Sequence, residues 1–144
     1  MNSLQQIRKQ FLMASAALFI AGNAGLALSE EVGVLLAGNQ ETPQVVTNGS
    51  GSGRFTVGTD GSVSGSVTTL NIAGTAAHIH EGAIDKNGPV IIPLTKGKGT
   101  TWTVPAGAKL TADQMTSFKA GQLYVNVHTE KNKGGEVRGQ LIPK

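Results

Sequence analysis

The stretch RFTVGTDGSVSGSVTTL, residues 54–70, decides the fold class. At its centre is Asp60-Gly61, a dipeptide that readily takes the positive backbone angles of a two-residue hairpin turn. Before the turn, Arg54-Phe55-Thr56-Val57 has the β-branched and aromatic content of a strand. After it, from Ser62 to Leu70, Val63, Gly65, Val67 and Thr69 alternate with Ser64, Ser66 and Thr68. That period of two belongs to a strand with one face inward. A lone hairpin is marginal in water, so the pattern predicts more strands around it.

The neighbouring segments supply them. Val32 to Gly38 (VGVLLAG) reads as an apolar strand, followed by a polar turn at residues 39–43 in which Pro43 ends the pairing. The Gly/Ser run at 48–53 is short enough to lead into the hairpin. Downstream, residues 71–75 turn the chain into a strand carrying His78 and His80, and Asp85 to Pro89 forms another turn cluster. Val90, Ile91, Ile92 and Leu94 then make a hydrophobic strand broken by Pro93; residues 96–99 form a loop, and residues 101–104 a short strand. Short strands punctuated by glycine-rich turns predict an all-β fold, an antiparallel sandwich or barrel.

One helix interrupts, near 111–120. Thr111 and Gln114 stand at capping-box spacing, Leu110 and Met115 at the positions of a hydrophobic staple, and Gly121 at the left-handed stop. Met115 and Phe118 share a face of this helix and are expected to pack. Leu123 to His128 follows as a strand, residues 132–135 as a turn, and Glu136 to Ile142 as the last strand.

The chain has 144 residues, enough for one domain. Arg8 and Lys9 precede an apolar run over 11–28 that ends in Ala27-Leu28-Ser29, the layout of a secretory leader over residues 1–29. An uncleaved membrane anchor is the competing reading, weakened by Gly22, Asn23 and Gly25 near the end of the run. With the leader removed, a single domain over 30–144 remains, secreted or periplasmic and free of the membrane. Its charge falls from +3 to +1, since Arg8 and Lys9 leave ten basic residues against nine acidic ones. No basic run and few aromatics offer themselves to nucleic acid. An exported chain without cysteine depends on its core and on any bound metal.

All three histidines lie in two strands. His78 and His80 share a face because side chains alternate, with Ile79 on the other. In the second strand Leu123, Val125 and Val127 alternate with Tyr124, Asn126 and His128, so His128 is on the more polar face. If the strands adjoin, three imidazoles converge without a thiolate, a donor set that suits copper or an open zinc site. The alternative is three unrelated surface or hydrogen-bonded histidines.

From about Leu35 to Ile142 the chain resembles the CHRD family, the domain named from chordin. Leu-Ala-Gly-Asn-Gln-Glu-Thr-Pro (36–43) is similar to its first motif. His-Ile-His-Glu-Gly (78–82) with Asn-Gly-Pro-Val (87–90) is similar to its second, and residues 121–129 with 134–141 to its third. The His-Ile-His-Glu segment and the stretch from Val127 to Gly139 also resemble the copper strands of copper–zinc superoxide dismutases, which are antiparallel Greek-key sandwiches. That resemblance implies one copper ion held by His78, His80 and His128, and Arg138 beside its open face attracting the superoxide anion. The bridging and zinc histidines and the disulfide of those enzymes have no counterpart, so no zinc is expected. Lys131 and Lys133 are expected to add local positive charge. Glu81 and Glu130 are candidate partners of the imidazoles or simply solvent-facing, and Tyr124 and Asn126 are expected to line the pocket. Two other functions fit the same residues: a copper-binding or storage protein without turnover, and an extracellular interaction domain without metal.

Overall fold

The computed structural model describes residues 28–144. The leader expected over 1–29 lies outside the described residues, apart from its last two positions. Nine strands and one helix follow in order: β1 (Ser29–Ala37), β2 (Ser50–Gly58), β3 (Val63–Leu70), β4 (Ala76–Glu81), β5 (Val90–Pro93), β6 (Thr95–Lys96), β7 (Thr101–Thr103), α1 (Ala112–Lys119), β8 (Leu123–His128) and β9 (Val137–Leu141). A short 3-10 turn, Gly38–Gln40, follows β1.

The strands form one antiparallel sheet in the order β5-β4-β8-β9-β1-β2-β3-β7-β6. The run β9-β1-β2-β3 places a late strand beside the first, the neighbour relation of a Greek key. The two edge strands, β5 and β6, are consecutive in the chain and separated only by Leu94. The Leu94 N–H donates to the Ala77 carbonyl of β4 at 2.9 Å, so the chain itself draws the sheet into a nearly closed barrel. An edge brought against its opposite edge has few unpaired backbone groups left to offer another chain.

The hairpin at Asp60-Gly61 forms, with Val57 opposite Val63, but its loop is three residues, Thr59 to Gly61. The Gly58 N–H donates to the Ser62 carbonyl at 2.8 Å, and of the two central residues only Gly61, at φ 84°, takes a positive angle. The Gly/Ser run contributes more than an approach to the turn, because Ser50 to Gly53 pair with both β1 and β3. A side chain at Gly53 would meet Val67 and the Ser66 carbonyl, so glycine there lets three strands come close. The first strand also begins earlier than expected, at Ser29, and residues 95–96 are a strand edge that their Lys/Gly-rich context obscures.

Inside the barrel lie Val32, Leu36, Phe55, Val67, Ile79, Trp102, Val125, Val127, Val137 and Leu141, all buried. Each fully buried aliphatic or aromatic side chain contributes about 1.5–3 kcal/mol relative to exposure. This core stands in for the absent disulfides. Helix α1 carries the capping box, with the Gln114 N–H donating to Thr111 Oγ1 at 3.2 Å and the Thr111 N–H to Gln114 Oε1 at 2.9 Å. It buries Phe118, with Met115 packed against the core, and Gly121 stops it at φ 69°. Among the described residues no helix is long and apolar enough to cross a membrane.

Candidate metal centre

Strand β8 lies between β4 and β9. Ala77 and Ile79 of β4, Leu123, Val125 and Val127 of β8, and Val137 and Leu141 of β9 enter the core. Alternation therefore places His78, His80, Tyr124, Asn126, His128, Arg138 and Gln140 together on the outer face. The register sets His78 opposite Asn126, His80 opposite Tyr124, and Asn126 opposite Arg138. His128 stands opposite Ala76, diagonal to His78. One ligand nitrogen from each of His78, His80 and His128 lies within 4.8 Å of the other two.

The imidazoles are fixed by backbone. His80 Nδ1–H donates to the Gly88 carbonyl at 3.0 Å, and His128 Nδ1–H donates to the Lys133 carbonyl at 2.8 Å. A carbonyl only accepts, so each neutral ring keeps its proton on Nδ1 and turns the Nε2 lone pair inward. His78 Nδ1 lies 2.9 Å from His128 Nε2 and is the donor in that contact. His80 Nε2 is buried without a hydrogen-bond partner. Leaving such an atom bare costs about 1–3 kcal/mol, a cost that a bound cation removes. Outer nitrogens held by carbonyls are the usual support of metal-ligating histidines, and the three donors fit a copper or zinc ion.

Charge on two of the rings is disfavoured. Burial, then the neighbouring His128 and His80, hold His78 below the ordinary imidazole range. His80 is also lowered, chiefly by burial, against the opposing Gly88 hydrogen bond. Neutral imidazoles are the form that binds metal.

Two loops carry the supporting carbonyls. In the 82–89 loop Asp85 serves as turn chemistry, at φ 60°, and Gly88 lies so near Glu81 that a side chain would overlap the Glu81 backbone. The Gly88 N–H donates to the Tyr124 hydroxyl at 3.2 Å. The 129–135 loop is tied down by Glu136, whose carboxylate accepts from Thr129 Oγ1 at 2.5 Å and Thr47 Oγ1 at 2.6 Å. These two hydroxyls, Thr129 first, hold Glu136 below the ordinary carboxylate range.

Arg138 is on the expected face, yet its guanidinium is not open to an anion. It is only 1% exposed. Nη1 donates to the Lys86 carbonyl at 2.9 Å, and Nη2 to the Ala83 carbonyl at 2.9 Å and Gln140 Oε1 at 3.0 Å. The group lies 3.4 Å from the centre of the Tyr124 ring, and Tyr124 in turn stacks on His80 at 4.7 Å and 3°. The guanidinium fork meets the two turn carbonyls of the 82–89 loop, which is why it points into protein.

Glu81 does not orient a histidine: its carboxylate accepts from Ser117 Oγ of α1. Glu130 is exposed, as are Lys131 and Lys133, while Tyr124 and Asn126 line the site. The supports that composition hides are Gly88 and Lys133, which act through backbone carbonyls, and Glu41, a buried carboxyl. Gly88 had a signal in Asn87-Gly88-Pro89, and Glu41 in the conspicuous run 36–43.

The CHRD domain family model matches residues 32–141. No curated protein and no solved structure matches the chain. With the match spanning β1 to β9 and including every residue of the histidine cluster, the chain belongs to the CHRD domain family.

Proposed function

We propose that this chain is a mononuclear copper protein of the extracytoplasmic space, and that its reaction is the dismutation of superoxide to oxygen and hydrogen peroxide. The convergence of three imidazole nitrogens within 4.8 Å, two of them aimed by backbone carbonyls, carries this reading. Bound copper supplies one-electron cycling, which zinc does not. His78, His80 and His128 hold the ion as neutral ligands. Tyr124 fixes the His80 ring by stacking, and Arg138, through Tyr124 and the 82–89 loop, keeps Gly88 under His80. Lys131 and Lys133, exposed next to His128, raise the local concentration of a small anion.

A second reading is favoured by the burial of Arg138. A copper carrier needs no open cation beside the metal, and this guanidinium is committed to carbonyls. The two part on one experiment: electron paramagnetic resonance of the protein with one equivalent of Cu(II), run beside a superoxide-consumption assay. Nitrogen-split copper features that His128→Gln removes, with consumption well above free copper, support the dismutase. The same features without turnover support the carrier, and no specific copper signal refutes both.

A further inference from the structure

Four buried side-chain polar atoms among the described residues lack a hydrogen-bond partner, and three of them belong to one neighbourhood: Glu41 Oε1, Asn126 Oδ1 and His80 Nε2. Glu41 follows the 3-10 turn after β1 and is 4% exposed. Its carboxyl and the Asn126 amide meet at Gly135, where a side chain would overlap both, so the glycine at φ 128° leaves the room they occupy. Asn126 Nδ2 donates to the Gly134 carbonyl at 3.3 Å, and Asn126 stands in register between His78 and Arg138. Asn126 thus links the two groups, with its amide nitrogen beside the Glu41 carboxyl and its oxygen toward the His80 ring. Burial pushes Glu41 up to about 7, against Arg138 and then Asn126, which lower it.

We propose that Glu41 is the buried counter-charge of the three-histidine site, balancing through Asn126 the cation held by His78, His80 and His128 and giving up its proton as that cation enters. The inference rests on the reading that these histidines hold a divalent ion. A divalent cation beside the buried Arg138 puts three positive charges into one poorly solvated layer. Among the described residues no other buried carboxylate near the site is left to answer them. Glu136 is bound to Thr129 and Thr47, Glu81 to Ser117, and Asp85 and Glu130 are exposed. Arg138 forms no ion pair with Glu41 among the described residues, because its terminal nitrogens are given to Lys86, Ala83 and Gln140. Around Glu41, then, the charged neighbour is Arg138 of β9 and the polar one Asn126 of β8. The step balances simply: the acid loses one proton to solvent, its carboxylate remains, and no electron moves.

The test uses redox-inert Zn²⁺, titrated calorimetrically into the protein in buffers of different ionisation enthalpy to count released protons. Near pH 6 the wild type should release about one proton more than Glu41→Gln, and near pH 8.5 the two should agree. Where binding moves the carboxyl by at least one pH unit, Zn²⁺ affinity above pH 7 falls at least about tenfold in the variant. Equal proton counts at both pH values overturn the inference while leaving the metal site standing. Failure of the wild type to bind Zn²⁺ or Cu²⁺ removes the site and the inference together. Should Glu41→Gln fail to fold, infrared difference spectroscopy of the wild type decides. A protonated carboxyl band near pH 6 that Zn²⁺ abolishes supports the inference, and its absence or persistence refutes it.

Discussion

Arg138→Met keeps most of the aliphatic stem and removes the guanidinium, so it isolates what the charged fork does. The wild-type fork makes three donor contacts of 2.9–3.0 Å, two of them to carbonyls of the 82–89 loop, and covers the Tyr124 ring at 3.4 Å. Hydrogen bonds from a charged donor contribute about 1.5–3 kcal/mol each and the ring contact about 1 kcal/mol. Against this stands the cost of burying the cation, the first cause of the lowered Arg138 pKa. In the variant, moreover, loop opening lets water reach the orphaned carbonyls. The net loss should be about 3 kcal/mol, read as a lowered urea midpoint at constant slope. Amide exchange should quicken over residues 82–89 before the barrel strands, since this loop loses its ties first. Metal affinity should drop as well, because the Gly88 carbonyl that orients His80 is in that loop. A loss below about 1 kcal/mol, with loop protection unchanged, would refute the clamp and restore Arg138 as a group kept for a ligand; surface substitutions typically stay within about 0.5 kcal/mol.

Gly88→Ala forces a methyl into the Glu81 backbone; thermal unfolding should show a loss of about 2 kcal/mol or more, with weaker metal binding than an equally destabilised core variant shows. For Glu41, the ordinary value of 4.5 rises to about 7 on folding. The folded state then binds the extra proton between these values, and the contribution of Glu41 to stability is greatest below 4.5 and is lost as pH rises through about 7. The gap is worth roughly 3 kcal/mol, so metal-free Glu41→Gln should lack this decline and gain on the wild type at pH 8 in urea titrations. His78 and His80 act in the opposite sense. Their lowered values keep stability intact above 6.5 and remove it as pH falls below, and their ring protons followed by NMR should titrate below 6.5.

Much of this protein could be read from local chemistry. Asp60-Gly61, the alternation from Val63 to Leu70 and the Thr111/Gln114 box are short-range signals, and each produced its element. Strand periodicity likewise placed His78 and His80 on one face and His128 on the polar side of its strand, because alternation is a property of the backbone alone. Sequence periodicity stops at the strand, however. That β4 and β8 are neighbours in the Ala76–His128 to Glu81–Leu123 register is a long-range pairing, and only this pairing turns three histidines into one cluster. Closure of the barrel through Leu94 depends in the same way on two edges far apart in the sheet. Arg138 shows the limit most clearly. Its face was legible from alternation, but its partners are backbone carbonyls at Ala83 and Lys86, and a carbonyl has no residue signature. Glu41 shows it for charge: a carboxyl in a polar motif reads as exposed until the fold buries it beside Asn126 and Gly135, and desolvation then decides its proton. Residue type and spacing determined which groups are present and which way they point, whereas burial and backbone contacts, set by the whole chain at once, decided what those groups do.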